Sequence, residues 1–249
     1  GKFELRKNLA SQRARYFKSK LVYVNLVGSQ DDLVFDGGSF VMNRLGKIIL
    51  QKNFFEESEM AIDLDKKVDN KKNKKANKFE NLYRALMVAL RNYMFKNGFK
   101  CAHLGLSGGI DSALTLAIMA DTIKSHNIYS FFLPSKYSSM NSKIDAQKLS
   151  QNIGIKTSEV SIETIRNALS NQLKPIFKNL KEDITEENIQ SRLRGLILMA
   201  ISNKFNFFII TTGNKSELAV GYSTLYGDMC GGYSLLKDVY KTDVFELCE

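Results

Sequence analysis

The chain has 249 residues, of which 44% are hydrophobic and 25% charged, enough apolar material for one large domain or two small ones and too much for a disordered segment. Its formal net charge of +10 raises the question of a nucleic-acid partner, but Lys66 to Lys78 holds seven lysines and one aspartate, supplying +6 and leaving +4 for all other residues. A lysine-asparagine run without apolar periodicity or interleaved aromatics is a solvated linker rather than a nucleic-acid surface.

In chain order, the segments LVYVNLVG and SFVMN are rich in Val, Tyr and Phe and predict strands, with the turn-rich SQDDLVFDGG between them. Residues 1–65 are therefore expected to be β-rich, and too few in strands to bury a core alone. Residues 66–78 form the linker and residues 79–249 a second region. There, Leu82, Leu86, Ala89, Leu90 and Tyr93 lie on one helical face within Phe79 to Asn97. Strand and helix patterns then alternate. Cys101 to Leu106 is a strand, Ser112 to Lys124 a helix, IYSFFLP a strand and Ser142 to Asn152 a helix. TSEVSI is a strand, Ile162 to Phe177 and Glu186 to Asn203 are helices, and FNFFIITT is a buried strand. Such alternation predicts an α/β fold, a mainly parallel sheet with helices on both faces. Ligands in such sheets bind beyond the carboxyl ends of the strands.

Cys101, Cys230 and Cys248 are odd in number and widely spaced, which fits a reducing compartment without a disulfide framework or zinc site. The most apolar stretch, Leu193 to Thr211, is interrupted by Ser202, Asn203 and Lys204 and is too broken to span a bilayer. A cytoplasmic protein with no membrane partner is the expectation. Neither His103, inside an apolar strand, nor His126, in a loop, suggests catalysis; His103 is expected to be a satisfied core residue.

The most informative string is Ser107-Gly108-Gly109-Ile110-Asp111-Ser112, placed between a strand and a helix. Two glycines let the backbone approach a ligand closely. The helix that follows aims free N–H groups and its positive end at the loop, making an anion site. Ser107 and Ser112 add hydroxyls. Asp111 would repel phosphate, and makes sense if it holds a Mg²⁺ that bridges to phosphates. The alternative is a glycine turn in which Asp111 and Ser112 merely start a helix. Thr212 follows the apolar strand, where its hydroxyl could reach a phosphate. Asn214 to Glu217 has capping-box spacing.

SGGIDS resembles the pyrophosphate loop of the ATP pyrophosphatases, which cleave ATP between the α- and β-phosphates. TTGNKSELAVGYSTLYGDMCGGYSLLKDVYK (Thr211 to Lys241) closely resembles the signature of NAD synthetases within that group. LPSKYSS (Leu133 to Ser139) and ENIQSRLRGLILMAIS (Glu187 to Ser202) extend the resemblance over nearly all of the second region. It implies a Rossmann-like, adenine nucleotide alpha hydrolase-like fold and the ATP-dependent amidation of deamido-NAD, with ATP as co-substrate. It implies that Ser107, Gly108, Gly109, Asp111, Ser112, Leu133 and Thr212 bind ATP, with Leu133 flanking adenine. It further implies that Asp111 and Glu217 share Mg²⁺ and that Lys241 and Asp111 are catalytic. Arg192, Asp228 and Lys241 would contact deamido-NAD, and Asp228 could also recognise an incoming ammonium. Arg194, two residues from Arg192 on one helix, points elsewhere and would form only structural pairs. A homo-oligomer is expected.

NLVGSQDDLVFDGGSF and its surroundings resemble the C-terminal part of the nitrilase-like glutaminase domain of glutamine-dependent NAD synthetases. That resemblance implies a chain lacking the catalytic Glu, Lys and Cys of that domain, and one whose C-terminus, FELCE, falls inside a helix that the family continues. Ammonia would then come from glutamine in an intact enzyme and from solution here. Two other readings stand beside this one: a tRNA-modifying member of the same group, which KSELAVGYSTLYGD and the lack of a catalytic cysteine pair oppose, and a non-enzymatic remnant that binds nucleotides or partners.

Overall fold

A computed structural model describes residues 2–66, 77–178 and 180–249. Most of the lysine-rich linker lies outside the described residues. The chain forms two compact units, Gly1–Tyr93 and Met94–Glu249. Among the described residues no helix is long and apolar enough to cross a membrane.

The first unit contains α1 (Phe3–Tyr16), β1 (Leu21–Tyr23), β2 (Val27–Gln30), β3 (Leu33–Asp36), β4 (Phe40–Met42) and β5 (Ile48–Gln51), and α2 (Lys78–Lys96) runs across its boundary with the second. β4 pairs antiparallel with both β1 and β5, while β2 and β3 form a separate hairpin. Ala10 and Ala14 of α1 pack with Phe40 and Met42 of β4, and Phe3, Leu21, Tyr23 and Ile48 surround them. Helix α1 departs from the β-rich expectation. Its buried face is made of alanines, while Leu5 and Leu9 are more than half exposed, so no apolar stripe marks the helix in the sequence. Arg6 Nη2 donates to both carboxylate oxygens of Asp36 at 2.7 Å, fastening α1 to the end of β3. The glycine pair in SQDDLVFDGG has a steric cause: Gly38 sits at φ +65°, where a Cβ would lie 2.4 Å from the Phe54 ring.

The second unit holds β6 (Ala102–Gly105), α3 (Ile110–Thr122), β7 (Ile128–Phe132), α4 (Met140–Ile153), β8 (Thr157–Glu159), α5 (Glu163–Phe177), α6 (Ile184–Phe205), β9 (Phe208–Thr211), α7 (Lys215–Val220), β10 (Tyr233–Ser234) and α8 (Lys241–Cys248). Its five strands are all parallel, in the order β10-β9-β6-β7-β8, and helices flank the sheet, as strand-helix alternation predicts. Every residue of β9 and Ala102 to Leu104 of β6 are buried. This is the burial of strands covered on both faces. The chain proceeds outward from β6 to β8, then returns to place β9 on the other side of β6. The turns after β6 and β9 therefore diverge at a topological switch point, where open α/β sheets form their crevice.

Both ends of α6 lie outside the boundaries read from the sequence. Helix α6 starts at Ile184, because Asp183 and Glu186 form a reciprocal capping box. It also runs to Phe205, ending at Asn206 in the left-handed region at φ 54°, so β9 begins only at Phe208. His103 is fully buried, with its ring edge-on to Phe131 at 5.8 Å. It is not satisfied: neither ring nitrogen has a hydrogen-bond partner among the described residues. Burial pushes its pKa down to about 4.

Candidate active site

The loop after β6 is held by its own hydroxyls. Ser112 Oγ donates to the Gly109 carbonyl at 2.9 Å and accepts from Ser107 N at 3.2 Å. Gly109 N donates to Ser107 Oγ at 3.1 Å. The Ser112 side chain is thus committed inside the loop, at 2% exposure, and acts as a clamp on its shape. Gly108 has φ +83°, and a Cβ there would lie 2.4 Å from the Ser142 carbonyl. Only glycine allows the loop to lie against the first turn of α4, whose start is capped by Ser139 accepting from Ser142 N. Helix α3 begins at Ile110 with Asp111 in its first turn, where a carboxylate is favoured by the helix dipole.

Asp111 is the centre of a polar cluster. Its Oδ1 accepts from Asn214 Nδ2 at 3.0 Å, and its Oδ2 pairs with Lys241 Nζ. Asn214 is fully buried and caps α7. Its Oδ1 accepts from Glu217 N at 3.0 Å, while Glu217 Oε2 accepts from Asn214 N at 3.0 Å. The capping box inferred from spacing is present, and through Asn214 it connects the Asp111 and Glu217 carboxylates. Lys241 opens α8, the end where a cation opposes the helix dipole. Its ion pair with Asp111, rather than helix stability, accounts for that placement. In α8, partial burial and then the charge of Asp111 push the Cys248 thiol up, with Lys241 opposing.

A cavity of about 540 Å³ opens beside the loop, at the carboxyl ends of β6, β7 and β9. Its lining includes Ser107, Leu133, Thr212 and Asp228 from the sequence reading, together with Tyr137, Ser139, Arg194 and Cys230. Gly105 belongs to the apolar wall, where a Cβ would come within 3.2 Å of Leu198 Cδ1. The cavity thus has an apolar side and a hydroxyl-rich side converging on one phosphate-type loop, the usual composition of a nucleotide pocket.

The two arginines part company. Arg194 lines the cavity and donates from Nε to the Leu133 carbonyl at 3.0 Å. Burial lowers its pKa. Arg192 is exposed, donates from Nε to the Leu225 carbonyl at 3.1 Å and is not part of the lining. Sequence spacing separates the two arginines but does not say which one enters the cavity; only the pairing of α6 with the end of β7 does. Asp228 Oδ1 accepts from Thr224 N at 2.7 Å and Ser191 Oγ at 3.1 Å, which fixes the 224–228 turn against α6. The close approach is permitted by Gly195, where a Cβ would lie 2.8 Å from the Gly227 carbonyl.

No group of three or more His, Cys, Asp or Glu side chains that could hold a metal occurs among the described residues. Magnesium needs no such cage, since it is commonly held by one or two carboxylates and substrate phosphates. Asp111 and Glu217 offer that donor set, and the Lys241 ammonium marks Asp111 as a position that accepts a cation.

The family model described as NAD synthase matches residues 82–249. The glutamine-dependent NAD(+) synthetase of Rhodobacter capsulatus is 46% identical over 254 residues, an alignment taking in 100% of this chain and 46% of the relative. Among solved structures, glutamine-dependent NAD+ synthetase from Acinetobacter baumannii in complex with adenosine diphosphate has a TM-score of 0.94 at 46% identity, covering 99% of this chain and 48% of that one. The NH3-dependent NAD synthetase from Campylobacter jejuni, in complex with the nitrate ion, has a TM-score of 0.63 at 26% identity, covering 70% and 73% of the two chains. The chain spans about half the length of the curated relatives it matches.

Proposed function

The chain belongs to the NAD synthase family, and from that premise we propose that residues 79–249 amidate deamido-NAD to NAD at the expense of ATP. The observation that carries the reading is the convergence of Asp111, Asn214 and Lys241 beside a cavity at the switch point between β6 and β9. The ADP complex of the Acinetobacter baumannii relative supports adenine-nucleotide binding here.

In this reading the nicotinate carboxylate attacks the α-phosphorus of ATP, forming an acyl adenylate as pyrophosphate leaves. Ammonia then attacks the acyl carbon, giving NAD, AMP and a proton. The protein supplies position and charge. The 107–112 loop presents backbone N–H groups at the start of α3, and Gly108 and Gly109 let phosphate oxygens come close. Ser107 and Thr212 offer hydroxyls, while Leu133 and Gly105 flank the base. Lys241 leaves Asp111 for the phosphates and stabilises the charge that grows as they separate. Asp111 and Glu217 would hold Mg²⁺, which supplies charge neutralisation for the departing pyrophosphate. Arg192 and Asp228 contact the dinucleotide, and the Asp228 carboxylate could also recognise the incoming ammonium. Arg194, inside the cavity, joins them as a nucleotide contact that spacing alone did not select.

For residues 1–65 we infer the C-terminal part of a nitrilase-like glutaminase domain. The support is that similarity to relatives named glutamine-dependent runs through the whole chain, beyond the residues matched by the family model. Residues 1–93 contain neither cysteine nor histidine, so with these residues ammonia is the nitrogen donor. Cytoplasmic residence, supported by three free cysteines, and a homo-oligomer complete the proposal. The test is product analysis after incubation with ATP, Mg²⁺, deamido-NAD and ammonium. AMP and pyrophosphate are expected, in equal amounts with NAD; ADP and phosphate would exclude the reading.

A further inference from the structure

The β7–β8 pairing does not end where the strands do. Beyond the sheet, Val160 N donates to the Phe132 carbonyl at 2.9 Å, and Ile162 N to the Pro134 carbonyl at 3.0 Å. The next alternate residue on the β7 side is Lys136. Its N–H donates at 3.0 Å, but to Glu163 Oε2, a side-chain oxygen in the first turn of α5. A carboxylate thus takes over a ladder at the point where the backbone partner turns into a helix.

That carboxylate is itself held. Arg166 Nη2 donates to Glu163 Oε1 at 2.7 Å and to Asn167 Oδ1 at 2.8 Å. The Arg166 side chain is 9% exposed and that of Glu163 29%, unlike an exposed pair that solvent screens. The hydrogen bond from Arg166, then that from the Lys136 N–H, hold the Glu163 carboxyl down to about 2. On the far side, the guanidinium carbon of Arg166 stands 5.9 Å from the Tyr137 ring centroid, and Lys136 Nζ stands 4.7 Å from it. Tyr137, Ser138 and Ser139 line the cavity, and Ser139 caps α4 against the phosphate loop. Nothing in Glu163 or Arg166 touches the cavity, so the pair acts only through the segment it fastens.

We propose that Glu163 and Arg166 are positioning residues that latch the Ser135–Ser139 segment, and with it Tyr137, over the nucleotide cavity, setting the affinity for ATP rather than the rate of its chemistry. The cavity's identity as an ATP site rests on the function proposed above; the latch does not. A closed segment is ordered before ligand arrives, so the nucleotide is spared the cost of ordering it. Releasing the latch charges that cost to binding. The segment then keeps only its own turn, with Ser135 N donating to Ser138 Oγ at 3.0 Å and Ser138 N to the Ser135 carbonyl at 3.0 Å, so affinity falls while the loop, Asp111 and Lys241 keep their geometry.

The experiment compares the full chain with Glu163→Gln, Glu163→Ala and Arg166→Lys. Amide exchange at residues 135–139 is measured without ligand, and binding of ATP and turnover are measured separately. In Glu163→Ala, exchange at these amides is expected to rise about 10-fold, with protection in β6 and β9 unchanged. The KM for ATP should rise about 10-fold, with kcat within about twofold of the parent. Glu163→Gln keeps an oxygen for the Lys136 N–H but loses the charge facing Arg166, and should fall between. Arg166→Lys, which keeps the charge without the fork, should also be intermediate. Unchanged exchange at 135–139 in Glu163→Ala overturns the latch, as does a loss confined to kcat. If Glu163→Ala does not fold, Glu163→Gln decides by the same two readouts. Failure of the parent chain to bind ATP would instead remove the assignment of the cavity and leave the exchange result standing.

Discussion

The two units of this chain solve the problem of burying a core in different ways, and the difference decides what each can do. The first uses three- and four-residue strands, all antiparallel, around a small core whose helix contributes alanines. Its polar links, such as Arg6 with Asp36 and Asn25 with Asp36 and Gly37, tie local turns together. The second uses parallel strands that need long crossovers. Those crossovers leave loops of chosen chemistry at one end of the sheet: the 107–112 loop after β6 and the 212–217 turn after β9. Fully covered central strands fix these loops, and polar groups far apart in sequence meet there. Reactive geometry accumulates where the topology gathers chain ends, and among the described residues the antiparallel strands gather no such cluster.

Three measurements bear on that contrast. The largest effect belongs to the second unit's loop ends. Asp111→Asn and Glu217→Gln should each reduce Mg²⁺-dependent turnover by about 10²-fold or more if the ion carries leaving-group charge. Full activity at saturating Mg²⁺ would return Glu217 to its cap and Asp111 to its helix start. A smaller effect concerns the covered strands. His103 has its folded pKa lowered from 6.5 to about 4, so the unfolded chain binds the extra proton between those values. Stability present above pH 6.5 is therefore lost as pH falls, by about 2 kcal/mol between pH 6.5 and 5. Urea unfolding of the full chain at the two pH values, followed by a probe in the second unit, measures it, and His103→Leu should abolish most of the difference. The first unit has no histidine, so an equal loss there would point away from His103. The smallest expected effect is none at all. With ATP and deamido-NAD present, glutamine should give no NAD above background while ammonium does. Glutamine-driven synthesis by the purified chain would show that the first unit contains a nucleophile its composition hides.

The same contrast governs how far the sequence could be read. The strand-loop-helix at 102–122 is legible because glycine pairing, an apolar run and a helix start coincide in one string. The capping box at Asn214 and Glu217 is legible from spacing alone. Helix α1 is not, because its apolar residues Leu5 and Leu9 face outward and its inward face is alanine. The start of α6 is displaced because the Asp183–Glu186 box precedes the periodic segment. The entry of Arg194 into the cavity lining, and the inward commitment of the Ser112 hydroxyl, depend on a partner 61 residues away and on loop closure, which no local pattern records.

The separation of Asp111 from its partners has a consequence for synthesis. Asn214 lies 103 residues later and Lys241 130 residues later. At common translation rates of roughly 5–20 residues per second, the phosphate loop leaves the ribosome on the order of 10 s before the lysine that neutralises its aspartate. During that interval β6 lacks its β9 neighbour, and Asp111 faces no Lys241. A nascent chain is therefore a poor nucleotide trap, and the pocket acquires its charge balance only as α8 docks.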